Sequence, residues 1–195
     1  MIMEKLSLDG TVTLITGGGT GLGREMVRAL ARAGSDIILA ARRELPIRET
    51  AEEVRKLGRK SMHYVVDITD PRQVQNMADM AQKEFGRVDV LINNAALLGA
   101  PVTPIWDMTD QEWEYGISAN LTGAFYCVRA LAKQMVDRGW GRIINVASQY
   151  GFRGGRNMFT YTCGKGGMVQ LTRTLALSLG PMGVTCNTVA PAFIP

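Results

Sequence analysis

Short apolar runs alternate along the chain with longer stretches in which apolar residues recur at helical spacing. The runs predict strands over residues 11–16, 37–40, 61–66, 88–92, 142–147 and 184–189, and the longer stretches predict helices over 22–32, 46–57, 71–85, 110–138 and 159–179. Local punctuation agrees. Pro71 stands at a first helical position after Thr69 and Asp70, Thr109 and Glu112 form a capping-box pair ahead of 110–138, and Gly34, Gly58, Gly86 and Gly139 stand where helices stop. Runs apolar on both faces must be covered on both sides, so the alternation predicts an α/β fold, a doubly wound parallel sheet with helices on both faces. No shorter repeat and no low-complexity linker interrupts it, and residues 1–195 read as a single domain.

Composition narrows the function classes. The chain has 195 residues, 46% of them hydrophobic, enough to bury a sizeable core. Its longest apolar runs, such as 37–41 and 88–92, fall far short of the roughly 20 residues that span a bilayer, and the N-terminus has no signal-peptide apolar stretch, so a cytoplasmic protein without membrane partners is expected. The net charge of +4 comes from 22 Lys and Arg scattered among 18 Asp and Glu, with no basic run longer than Arg42-Arg43, which argues against nucleic acid and for one local anion site. Cys127, Cys163 and Cys186 lack CxxC spacing and His63 is the one histidine, so reduced thiols and no metal are expected.

The first candidate chemistry lies where the first strand runs into Thr16-Gly17-Gly18-Gly19-Thr20-Gly21-Leu22-Gly23 and then an amphipathic helix. Such a turn presents backbone N–H groups at the positive end of a helix dipole with no Cβ in the way, which suits a pyrophosphate; a merely flexible loop would also be glycine-rich. At the end of the second strand, where an acidic residue would bond ribose hydroxyls, the sequence instead reads Ala41-Arg42-Arg43, and a guanidinium there suits a 2′-phosphate. NADP(H) is favoured over NAD(H), although the two arginines could be plain surface charges and Glu44 could still reach a ribose.

The second candidate is Tyr161 with Lys165, four residues on and one turn away on the same helix face. A phenol ordinarily titrates near about 10, and an adjacent ammonium stabilises its anion, so the pair can exchange a proton with a substrate oxygen at neutral pH. Ser148 closes the fifth strand at the sheet edge where ligands collect in open α/β folds, and its hydroxyl can hold the same oxygen. Asn120 stands within the long fourth helical stretch. Tyr150 is an internal contrast, because Gly154 stands where its lysine would be. Each residue has an ordinary explanation by itself: a strand end, a helix surface, a chance pair.

Together these residues resemble the short-chain dehydrogenase/reductase family over nearly the whole chain: TGxxxGxG on Thr16, Gly17, Gly21 and Gly23; Asn93-Asn94-Ala95 after the fourth strand; and the order Asn120, Ser148, Tyr161, Lys165. The resemblance implies a Rossmann-like sheet of order 3-2-1-4-5-6 and an NADP(H)-dependent enzyme interconverting a carbonyl and an alcohol. It also implies catalytic roles for Asn120, Ser148, Tyr161 and Lys165. The cofactor would contact Thr16, Gly17, Gly19, Thr20, Gly21, Leu22 and Gly23 in the turn. Further contacts would come from Arg42, Arg43, Asp67 and Ile68, from Asn94, Ala95 and Ala96, and from Tyr161, Lys165 and Pro191. Asp67 would accept from the adenine amine, though it could equally cap the helix that follows.

The match has departures. Ala96 and Ala192 stand where the family has glycine, and the chain ends after the sixth strand where relatives continue, which reads as a C-terminal truncation lacking the usual last strand. Substrate choice would lie in residues 97–106 and 149–159 and in Phe193; both 3-oxoacyl reductases and sugar-acid dehydrogenases resemble this core. A homodimer or homotetramer is expected. Gly164, Gly166 and Gly167 would admit either the cofactor or a second subunit's helix. A non-catalytic sensor of NADP(H) on the same fold is the alternative function.

Overall fold

The structure, a computed structural model, describes residues 6–97 and 103–192. Phe193 and residues 98–102 of the expected substrate loop lie outside the described residues. Six strands, β1 (Val12–Thr16), β2 (Asp36–Ala41), β3 (Ser61–Val65), β4 (Val90–Asn93), β5 (Gly141–Val146) and β6 (Val184–Val189), form one sheet in the order β3-β2-β1-β4-β5-β6. Every neighbouring pair is parallel. The chain builds outward from β1 to β3, then returns to lay β4 on the other side of β1. The cleft between the C-terminal ends of β1 and β4 is therefore the switch point at which such sheets hold ligands.

Strand alternation explains why both faces are covered. In β2, Ile38 and Ala40 join one buried cluster while Ile37 and Leu39 join another. The first cluster packs against α3 (Pro71–Phe85) and α5 (Gly123–Asp137) through Val74, Met77, Leu131 and Met135. The second packs against α1 (Gly21–Arg32) and α2 (Glu44–Lys56) through Val27, Ala31, Ile47 and Val54. Successive side chains of a strand point to opposite faces, so a near-continuous apolar run feeds two cores at once.

Most of the expected elements form, with ends moved by a residue or two. The helix caps do so for the anticipated reasons: Thr109 and Glu112 make the reciprocal capping box, and Gly86 ends α3 in the left-handed conformation at φ 74°. The expected continuous helix over 110–138 is corrected. It is divided into α4 (Asp110–Ile117), a π-helical turn (Ser118–Thr122) and α5. Asn120 accounts for the break. Its Nδ2 donates to the Gly116 carbonyl at 3.0 Å and its Oδ1 accepts from the Leu97 N–H at 3.0 Å, so the helix widens by one residue to bring this side chain inward.

Candidate active site

The glycine turn is held by contacts that leave no room for larger residues. Asn94, just past β4, donates Nδ2 to the Thr16 and Gly17 carbonyls at 3.0 and 3.1 Å, while Thr16 Oγ1 accepts from the Asn94 and Ala95 N–H groups at 3.1 and 3.0 Å. This strap ties the end of β4 to the end of β1. A Cβ on Gly23 would lie 2.1 Å from the Gly17 carbonyl oxygen and 2.6 Å from Asn94 Nδ2, so only glycine lets α1 start this close to the strand. Gly21, at φ +51°, has nothing within 4 Å of where its Cβ would be, so its backbone faces open space.

The start of α1 is electrically bare. Its N-cap, Thr20, makes no side-chain capping bond, and its first turn carries no acidic residue. By contrast α3 is capped by Asp70, which accepts from the Arg72 N–H at 2.8 Å. Unsatisfied N–H groups and the helix dipole together favour an anion at this point.

The turn forms one wall of a cleft of about 750 Å³. Every residue expected to touch a dinucleotide lines this cleft except Thr16, which acts from behind through the strap. Arg42 and Arg43 stand at the end of β2, and among the described residues neither is paired with a carboxylate, unlike Arg24 and Arg28, which both bond Glu53. Glu44 does not line the cleft; its carboxylate lies 4.0 Å from His63 Nε2. Asp67 lines the cleft and its Oδ1 accepts from the Thr69 N–H and hydroxyl at 2.9 and 2.8 Å. Capping of the following helix falls to Asp70, so Asp67 shapes the loop between β3 and α3.

At the other end of the cleft, β5 and α6 (Phe159–Leu179) bring Ser148, Tyr161 and Lys165 to the same surface. Ser148 accepts from the Tyr150 N–H at 3.2 Å, which fixes its hydroxyl oxygen at the strand end. Lys165 Nζ donates to the Val146 carbonyl at 2.7 Å and lies 5.8 Å from the centre of the Tyr161 ring. Tyr150 meets Tyr161 edge to face at 6.4 Å between ring centres but does not line the cleft, as its missing lysine partner suggests.

Asn120 does not reach the cleft. It is 1% exposed, with its amide committed to Gly116 and to Leu97 in the loop beyond Ala96, so it holds that loop against α4. Gly164 and Gly167 of α6 have close neighbours within this chain. A Cβ on Gly164 would lie 2.6 Å from Asn120 Cβ, and one on Gly167 would lie 2.7 Å from Leu121 Cδ2; a Cβ on Gly151 would meet the Lys165 carbonyl at 2.8 Å. The close neighbours are this chain's own π-helical turn and the loop after β5.

Sequence reasoning missed several cleft contributors, among them Tyr115, Pro46 and Ile47. Tyr115 on α4 bonds the Arg42 guanidinium across the opening, and Pro46 and Ile47 of α2 close over Gly19. No local pattern signals Tyr115, because it lies on a helix surface 73 positions from Arg42.

Burial pushes the Lys165 amine down from the ordinary lysine value of 10.5 to about 8. The charged form is therefore disfavoured in the folded chain relative to the unfolded one. The resulting cost is complete below about pH 8 and is relieved as pH rises from about 8 towards 10.5, because there the unfolded chain binds the extra proton. Relative to Lys165→Met, the wild-type protein should thus gain stability across that window. Chemical denaturation at several pH values reads this difference, and a flat difference would contradict it.

Residues 11–195 match the family model described as short chain dehydrogenase, and the chain belongs to that family. It is 33% identical to 2-dehydro-3-deoxy-D-gluconate 5-dehydrogenase of Escherichia coli (strain K12), over all of this chain and 76% of that protein. It is 35% identical to D-beta-hydroxybutyrate dehydrogenase of Rhizobium meliloti (strain 1021), over 93% of this chain and 70% of that one. Among solved structures, NAD+-bound xylitol dehydrogenase superposes with a TM-score of 0.92 at 33% identity, covering 96% of this chain and 72% of that one. The chain is accordingly an oxidoreductase of a family that uses a nicotinamide cofactor. Among the described residues no helix is long and apolar enough to cross a membrane, and no cluster of three metal-ligating side chains occurs.

Proposed function

We propose that this chain is an NADP(H)-dependent oxidoreductase that interconverts a carbonyl and a secondary alcohol, with Tyr161 as general acid and base. The observation that carries the reading is the opening of Ser148, Tyr161 and Lys165 onto the same cleft as the uncapped start of α1 and two arginines that pair with no carboxylate among the described residues. The dinucleotide supplies hydride to the substrate carbon, or removes it, when bound. The glycine turn and the α1 N-terminus would hold its pyrophosphate. Arg42 and Arg43, which line the cleft, would take a 2′-phosphate, and Ala41 offers no carboxylate to the ribose hydroxyls.

Ser148 donates its hydroxyl to the substrate oxygen and sets its position beside Tyr161. Tyr161 gives its phenolic proton to that oxygen during reduction and takes it back during oxidation. Lys165, nearly free of water at 2% exposure, places its positive charge beside the ring and stabilises the phenolate left behind. Asn120 is a positioning residue that keeps the loop from Asn94 to Leu97 in place. Relatives named for gluconate and hydroxybutyrate support a hydroxy- or oxo-acid, or its acyl ester, as substrate class. Residues 1–195 act as one dinucleotide-binding and catalytic unit. Trp113 and Phe125, large and exposed on α4 and α5, support a homo-oligomer.

The test is a screen of oxoacyl thioesters and sugar acids, followed by the absorbance of NADPH and repeated with NADH and with Arg42→Ala. At least one substrate should be turned over about tenfold more efficiently with NADPH, which corresponds to roughly 1.4 kcal/mol, and Arg42→Ala should erase most of that preference. Tight NADPH binding with no turnover of any substrate would favour the sensor instead.

A further inference from the structure

We propose that Tyr115 completes, with Arg42, a clamp for a ribose-bound phosphate monoester, which makes it a residue that sets cofactor specificity. The proposal rests on the NADP(H) reading above and adds to it a residue from a different part of the chain.

The two side chains come from different elements of the cleft. Arg42 stands at the end of β2 and Tyr115 on α4, and both line the cleft. β2 lies three strand spacings, about 14 Å, from β5 and Ser148, so this is the end of the cleft remote from the chemistry. Arg42 Nη1 donates to the Tyr115 phenolic oxygen across 73 positions of sequence. An exposed arginine with four free torsions ordinarily spreads over many rotamers, and this bond selects those that cross the opening.

The donor inventory then points to an anion. As the acceptor of the Arg42 bond, Tyr115 keeps its own O–H available, and the guanidinium keeps its remaining N–H groups. Arg43 adds a second guanidinium beside them. No carboxylate among the described residues pairs with either arginine, and the nearest acidic residue in sequence, Glu44, turns to His63 instead. Planar guanidinium forks and a phenol O–H are donors and suit a tetrahedral dianion, which accepts at every oxygen, better than a ribose hydroxyl, while the Asp67 carboxylate that also lines the cleft already accepts from Thr69.

Tyr115→Phe removes only the hydroxyl from a side chain that is 41% exposed, so the fold has little reason to change. The experiment is calorimetric titration of the wild type, Tyr115→Phe and Arg42→Ala with two probes, 2′,5′-ADP, which carries the ribose phosphate, and 5′-AMP, which does not. Thermal midpoints are measured alongside. Tyr115→Phe should weaken 2′,5′-ADP about fivefold more than it weakens 5′-AMP, close to 1 kcal/mol, with an unchanged midpoint. Equal weakening of both probes, or none, with discrimination still lost in Arg42→Ala, defeats the clamp and leaves the NADP(H) reading standing. A wild-type protein that does not distinguish the two probes defeats both.

Discussion

Replacing Tyr161 with phenylalanine should lower turnover of an activated ketone by about a thousandfold or more while NADPH binding changes by no more than about twofold. Positioned proton transfer contributes roughly 10²–10⁴ to rate, and in the proposed mechanism the phenol of Tyr161, which lines the cleft with Ser148 and has the Lys165 amine 5.8 Å from its ring centre, carries that proton. The aromatic ring itself remains, so its edge-to-face contact with Tyr150 and the shape of the cleft survive the substitution. Stopped-flow reduction and fluorescence titration on the same preparation separate the two quantities. Turnover at the wild-type level would remove Tyr161 from the mechanism, whereas a matched loss of binding would assign it to the architecture of the cleft.

Gly23→Ala is expected to damage fold and cofactor binding together. Its Cβ would fall within 2.1 Å of the Gly17 carbonyl oxygen, and that oxygen is also the acceptor for Asn94. Neither the strand end nor the strap is the free end of a flexible side chain, so α1 must slide away from β1 or Asn94 must release its bonds. Overpacking of this kind costs about 1–3 kcal/mol, which for a chain of this length lowers Tm by roughly 5 °C. NADPH affinity should fall by at least about tenfold, because the same movement displaces the N–H groups at the start of α1. Gly154→Ala is the control: its Cβ would meet nothing within 4 Å, and it should leave both readouts near wild type. Similar behaviour of the two variants would show that the close approach at Gly23 carries no weight.

The fold was legible because its signals are local and redundant. Strands such as β2 read as apolar runs since both faces are buried, and helix ends such as Gly86 and Thr109 announce themselves through left-handed backbone and reciprocal capping. The π-helical turn was not legible. Residues 110–138 keep helical spacing throughout, and the interruption is produced by a tertiary bond from Asn120 to Leu97, 23 positions away. In the cleft, the glycine turn and the Tyr161 and Lys165 pair could be read from spacing alone. The Arg42 and Tyr115 contact could not, and the crowding of Gly164 against Asn120 could not either. Both depend on which elements become neighbours when the sheet closes. Spacing along one helix reveals its own face but is silent about what another element brings to it.

The bare beginning of α1 ties heat tolerance to metabolism. A helix whose leading amides have no side-chain acceptor is completed from outside, so a phosphate-bearing ligand that fills that place binds only the native state and draws the folding equilibrium with it. At a hundredfold excess over its dissociation constant such a ligand adds roughly 2.7 kcal/mol, a sizeable fraction of what ordinarily separates a folded domain from its unfolded ensemble. Protein starved of its dinucleotide would consequently be cleared faster by proteolysis, and its abundance in the cell would follow the supply of the molecule it consumes.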